Sequence, residues 1–135
     1  MTVVDSSVWI DHLNGRRGPE VALLRRALDD PDETIIIGDL VLFEVLAGLR
    51  SRRMVDEVRE LFLSLVIVTM VGPELAMRAV EHFRHLRLLG ITPRTVDLLI
   101  ATYCVAVDEP LLTRDRDFAR FAAPMGLRLV GADPN

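Results

Sequence analysis

Lysine is missing from this chain: all 16 basic residues among its 135 are arginine. Arginine's planar fork binds phosphate or carboxylate at two points, although a GC-rich coding sequence explains the same bias without any function. The 20 acidic residues leave a net charge of −4, so a broad basic surface of the kind that tracks nucleic acid is not expected. Acids gathered around a bound cation would invert the local field, so net charge alone does not exclude a phosphate-bearing partner. The single cysteine, Cys104, excludes a disulfide framework and a cysteine-rich zinc site, and a reducing, cytoplasmic setting is the simplest fit. No apolar run approaches the roughly 20 residues of a membrane span. Asp5 and Asp11 interrupt the apolar N-terminal residues, so no secretory leader is expected. There is no Walker A loop, no G-x-G-x-x-G and no G-x-S-x-G elbow, which removes the usual nucleotide cofactors and a serine triad. His82 and His85 are expected on a solvent face, and no histidine has metal-ligand spacing to the cysteine.

What remains is half hydrophobic, enough for the buried core of one domain spanning residues 1–135. Short β-branched or apolar runs at Thr2–Val4, Thr34–Ile37, Val66–Val71, Leu111–Thr113 and Leu127–Val130 read as strands. Helical spacing with turn signals predicts helices over Ser6–Leu13, Pro19–Leu28, Asp39–Arg50, Met54–Leu65, Pro73–Leu89, Pro93–Val107 and Arg116–Ala123, with Pro124 and Gly126 ending the last. The tail to Asn135 is expected to be loose. Asp39 is a plausible N-cap. On the long helix, Leu75, Ala79, Val80, Phe83 and Leu86 are expected to face inward. Strands alternating with helices, without hairpin signals, predict a three-layer α/β/α sandwich around a parallel sheet. Such sheets bind ligands beyond the carboxyl ends of their strands, at the switch point in strand order.

Four carboxylates stand out against this frame. Leu40–Leu49 is apolar on every face except at Glu44, and Val96–Ala101 repeats the pattern around Asp97. A helix apolar all round is a buried helix, and an acid on it needs a cation or a hydrogen-bond set. Gly48, one turn beyond Glu44, leaves space there for an ion or for close packing. Asp5 and Asp115 each follow a strand, on the rim where a parallel sheet places its site. An oxygen-only set suits Mg²⁺ or Mn²⁺. Arg114 and Arg116 flank Asp115 as candidate phosphate contacts. Ser6 and Ser7 either cap the first helix or assist at the site.

The segment Val3-Val4-Asp5-Ser6-Ser7-Val8-Trp9-Ile10-Asp11 resembles the start of PIN-domain nucleases, especially the VapC-type toxins of bacterial toxin–antitoxin pairs. Three further segments are similar to that family in its order: Leu42–Leu49 around Glu44, Thr95–Ala101 around Asp97, and Leu111–Phe118 around Asp115. The resemblance spans nearly the whole chain. It implies a PIN-like α/β/α fold, metal-dependent endoribonuclease activity on RNA, a small VapB-like antitoxin as partner, and a homodimer. It assigns Asp5, Glu44, Asp97 and Asp115 to catalysis and to holding one or two Mg²⁺ or Mn²⁺ ions, with Ser7, Thr113, Arg114, Arg116 and Asp117 as possible auxiliaries. Many relatives carry asparagine where this chain has Ser7, which leaves the role of Ser7 open.

Three rivals are weaker. A receiver-type signalling domain needs a lysine near its aspartates, and none exists. A haloacid-dehalogenase-type phosphatase needs Asp-x-Asp, whereas Asp5-Ser6-Ser7 stands here. A catalytically inactive PIN-like module that binds RNA or protein has no need of all four acids.

Overall fold

The structure is a computed structural model describing residues 1–131, so the expectation about the tail to Asn135 falls outside the described residues. Four strands and seven helices follow one another as β1 Thr2–Val4, α1 Ser6–Leu13, α2 Pro19–Asp29, β2 Ile35–Gly38, α3 Asp39–Ala47, α4 Arg52–Leu63, β3 Val66–Val68, α5 Pro73–Leu88, α6 Thr95–Val107, β4 Leu111–Leu112 and α7 Asp117–Met125. The strands pair in parallel in the order β3-β2-β1-β4. The chain therefore steps from β1 outward to β2 and β3, then returns to lay β4 on the other side of β1. Right-handed crossovers put helices that step in opposite directions on opposite faces. The contacts agree: α1 packs on α2 and α3, and α3 on α4, while α5, α6 and α7 pack on one another. The expected three layers are present, and the strand order reverses between β1 and β4.

The centre of the sheet is dry. Val3, Val4, Ile35, Ile36 and Ile37 are all buried, as fits strands covered by helices on both faces. On one face Trp9 of α1 meets Phe62 of α4 edge-on, with centroids 4.9 Å apart. On the other, Phe118 and Phe121 of α7 stack at a tilt, 5.2 Å apart. Among the described residues, no helix is long and apolar enough to cross a membrane.

Several expectations are corrected. The final strand over Leu127–Val130 shrinks to one parallel bridge between Leu111 and Leu129. β4 offers only two residues for pairing, because Thr113 turns away to bond Asp5. β3 stops at Val68, and the Met70 N–H donates to Asp39 Oδ1 at 3.0 Å rather than to a strand. Asp39 is thus a cross-link inside α3's first turn, not its cap. α3 ends at Ala47, three residues early, since Gly48 weakens the helix and Ser51 is needed to cap α4, accepting from the Met54 N–H at 3.2 Å. α3 is not buried all round either: Phe43 is 71% exposed. α7 continues through Pro124 to Met125 and closes at Gly126 (φ +75°), where the Leu127 N–H donates to the Ala122 carbonyl. That closing bond satisfies a terminal carbonyl. Val80 of α5 lies exposed, not inward, and His82 is half-buried, not on the solvent face.

Gly38 ends β2 against the buried Met70. A Cβ there would lie 2.0 Å from Met70 Sδ and 2.5 Å from both Cγ and Cε. Met70 is only 2% exposed, so it has little space to yield. Gly38→Ala should lower stability by about 1–3 kcal/mol, the usual cost of overpacking, measured as a fall in the urea midpoint. An unchanged midpoint would show that Met70 swings aside freely.

Candidate active site

The carboxyl ends of β1 and β4 lie side by side at the reversal of strand order, and Asp5 is the first residue past β1. Its carboxylate is buried, 4% exposed. Oδ2 accepts two hydroxyl donors, Ser7 at 2.8 Å and Thr113 at 2.9 Å. Each hydroxyl is itself anchored: the Arg114 N–H donates to Ser7 Oγ and the Asp115 N–H to Thr113 Oγ1. The turn after β4 is thereby fastened to the turn after β1. Asp115 is held in place in turn, its Oδ1 accepting the Asp117 N–H at 2.9 Å.

Glu44 comes from α3, which starts where β2 ends. Its Oε1 is buried without a hydrogen-bond partner among the described residues. Burial raises its pKa above the ordinary value; Asp5 and Asp97 push it further, and the Ser6 hydroxyl and Arg94 oppose them. Asp97 occupies the first turn of α6, where a negative charge suits the helix dipole. Burial still raises its pKa, assisted by Asp5 and Asp115 and opposed by Arg94. The four acids therefore feel one another across one cleft. Among the described residues no three of them converge closely enough to hold an ion as they stand. Arg94 instead bridges two, with Nε 3.1 Å from Asp97 Oδ2 and Nη2 3.7 Å from Asp115 Oδ2. An all-oxygen set, a carboxylate oxygen buried without a partner and the pKa values of Glu44 and Asp97, raised by burial and by neighbouring acids, all fit a hard divalent cation, and Asp5, Glu44, Asp97 and Asp115 are the residues that could hold it.

The auxiliaries divide. Ser7 and Thr113 are built into the site through Asp5. Arg114 is not free to meet a phosphate: its guanidinium pairs with the buried Asp11, which Arg16 also reaches. Arg116 lies exposed just before α7. The exposed Asp117 helps line a small notch of about 50 Å³ beside Asp97.

Sequence reasoning missed Arg94 and Asp11. Each left a faint signal. Arg94 stands one turn before an acid on an apolar helix. Asp11 lies six residues after Asp5, on the same short helix that its serines open. Cys104 is buried, and burial pushes its thiol up to about 12, so it is an inert core residue.

The fold and cleft define an α/β/α domain with an acidic site at its switch point. Residues 2–124 match the PIN domain, and the chain belongs to that family. It is 34% identical over 122 residues to Ribonuclease VapC19 of Mycobacterium tuberculosis, covering 90% of this chain and 94% of that protein. Its fold is similar to that of VapBC2 from Rickettsia felis bound to a DNA fragment from their promoter (TM-score 0.76, 23% identity, 95% and 96% of the two chains). It is also similar to that of M. tuberculosis VapC20, a sarcin-ricin loop cleaving toxin (TM-score 0.66, 21% identity, 88% and 93%).

Burial and repulsion make a charged Glu44 costly. Its folded pKa lies above its ordinary 4.5, so the stability it contributes is full below that value and is lost as pH rises through the folded pKa. Glu44→Gln should leave the metal-free melting temperature unchanged near pH 4 and raise it by a few degrees near pH 7. A pH-independent difference in a melting series would contradict this account.

Proposed function

We propose that the chain is a metal-dependent endoribonuclease that hydrolyses RNA phosphodiester bonds, the toxin of a toxin–antitoxin pair, formed as one nuclease domain. The observation that carries this reading is the set of four mutually repelling carboxylates at the switch point, one of them with a buried oxygen that lacks a partner. They form a site in want of a cation. The 34% identity to a ribonuclease over 90% of the chain supplies the substrate class. The solved complexes of similar fold, which pair toxin with antitoxin, support a VapB-like protein as partner, and the family resemblance supports a homodimer.

In this reading Asp5, Glu44, Asp97 and Asp115 would hold Mg²⁺ or Mn²⁺, and the chemistry such a cation would supply is a more acidic water as nucleophile and stabilisation of charge on the leaving oxygen. The chain supplies the rest. Ser7 and Thr113 fix the Asp5 carboxylate through Oδ2, which leaves its second oxygen outside that pair of bonds. Glu44 enters from α3 on the far side of Asp5 from β4. Asp115 is the more open of the two acids on Arg94, its side chain 28% exposed against 5% for Asp97. It is better placed to orient the attacking water and accept its proton. Asp97, held on a rigid helix, keeps its charge at a fixed point.

The test is cleavage of total cellular RNA by purified, antitoxin-free protein, with and without Mg²⁺ or Mn²⁺. Asp5→Ala and Asp97→Asn should each reduce metal-dependent cleavage by roughly 10²-fold or more. Asp97→Asn should also fold as well as or better than the parent, since it removes one repelling charge. Full cleavage by metal-loaded Asp97→Asn would defeat the four-acid site. A folded parent that cleaves nothing under any metal would shift weight to a binding module.

A further inference from the structure

Arg94 is the cation already present in the acidic cleft. It lies between Pro93 and the first residue of α6, in extended backbone (φ −65°, ψ 147°). Its side chain reaches forward over the helix start to Asp97 and across to Asp115. Its guanidinium thus contacts two of the acids that would ligate a metal, which come from different elements. Yet the side chain is 73% exposed. It is held by one hydrogen bond to Asp97 and one longer ion pair to Asp115 at an exposed position, an arrangement that can be exchanged.

Beside this position is the notch of about 50 Å³, whose charged lining is Arg94 and Arg120 with Asp97 and Asp117, closed by Pro93 and Phe121. It offers two guanidiniums, Arg94 from the start of α6 and Arg120 from α7. Arg120 makes no ion pair among the described residues. Two guanidiniums lining one small opening beside the acidic cleft suit a phosphate group once a cation offsets the neighbouring carboxylates.

We propose that Arg94 is an exchangeable counter-ion. In the metal-free chain it holds Asp97 and Asp115 together. A divalent cation takes its place on those carboxylates, and the released guanidinium, with Arg120, binds an RNA phosphate next to the scissile one. The inference rests on the function proposed above. It adds that cation binding and phosphate binding are linked through one side chain: the metal must displace Arg94, and displacement makes the phosphate site. Arg94 is a positioning residue in the first state and a substrate contact in the second.

The test separates the two halves. Mn²⁺ binding to the RNA-free parent, Arg94→Gln and Arg94→Lys is measured by calorimetry, with circular dichroism to show that each is folded. Removing a competing pair of exposed ion pairs should tighten Mn²⁺ binding by about tenfold in Arg94→Gln, with Arg94→Lys in between, since its ammonium reaches only one acid well. At saturating Mn²⁺, KM for a single-stranded RNA oligonucleotide should rise about tenfold in Arg94→Gln and also in Arg120→Gln, with a smaller change in kcat. Arg120→Gln should leave Mn²⁺ affinity unchanged. Equal or weaker Mn²⁺ binding by Arg94→Gln overturns the exchange. Tighter Mn²⁺ binding with unchanged KM overturns the phosphate contact. If neither parent nor variants bind Mn²⁺, the metal-dependent reading itself fails and the inference falls with it.

Discussion

Asp5 is the residue on which the rest of the site depends. Its carboxylate is removed from water at the centre of the sheet's upper rim, where a charge survives only if its oxygens are satisfied. Two hydroxyls do this at Oδ2, and each belongs to a different turn. The same bonds that make a buried charge tolerable also dock the segment after β4 against α1. They carry Asp115 to the cleft and end β4 after two residues. The fold at this edge is therefore a consequence of the site: Thr113 leaves the strand ladder because Asp5 requires its hydroxyl.

Around that fixed point the acids are arranged at a cost. Asp11 shows the alternative. It is as buried as Asp5, but two arginines compensate it, and nothing is left over for a ligand. Glu44 has no such compensation at Oε1, and Asp97 has only one mobile arginine. Well-formed cores avoid uncompensated charge. Where a partnerless carboxylate oxygen persists at a switch point beside three other acids, a ligand that restores balance is the economical explanation. On the function proposed above, the energy withheld from folding would become binding energy for a cation.

The frame was legible in the sequence because each part obeyed a local rule. β-branched runs made buried strands, and prolines and glycines set helix limits to within a few residues. The acids were legible because they violated such a rule, sitting on helices otherwise apolar. What escaped depended on distant partners. The loss of the last strand followed from Thr113's bond to Asp5, more than a hundred residues away in sequence. The early end of β3 followed from Asp39, and Phe43 stands exposed on α3 although the run around it is apolar. Arg114 looked free beside Asp115 until Asp11 was seen to claim it. Arg94 had no periodicity to mark it, because it precedes its helix and its two partners come from different segments.

The absence of lysine acquires a physical meaning at this point. A single ammonium on a flexible stem is a point charge and cannot span two carboxylates from separate elements in fixed directions. The guanidinium of Arg94 can, because it presents several N–H donors in fixed directions of one plane, Nε to Asp97 and Nη2 to Asp115. The same geometry that bridges two acids also suits two oxygens of a phosphate. A chain that is acidic overall needs such devices to approach a polyanion, since its long-range field repels RNA. With the cation and the Arg94 role proposed above, local forks beside a neutralised cleft would allow recognition at short range without a basic surface, and that reconciles a net charge of −4 with a nucleic-acid substrate.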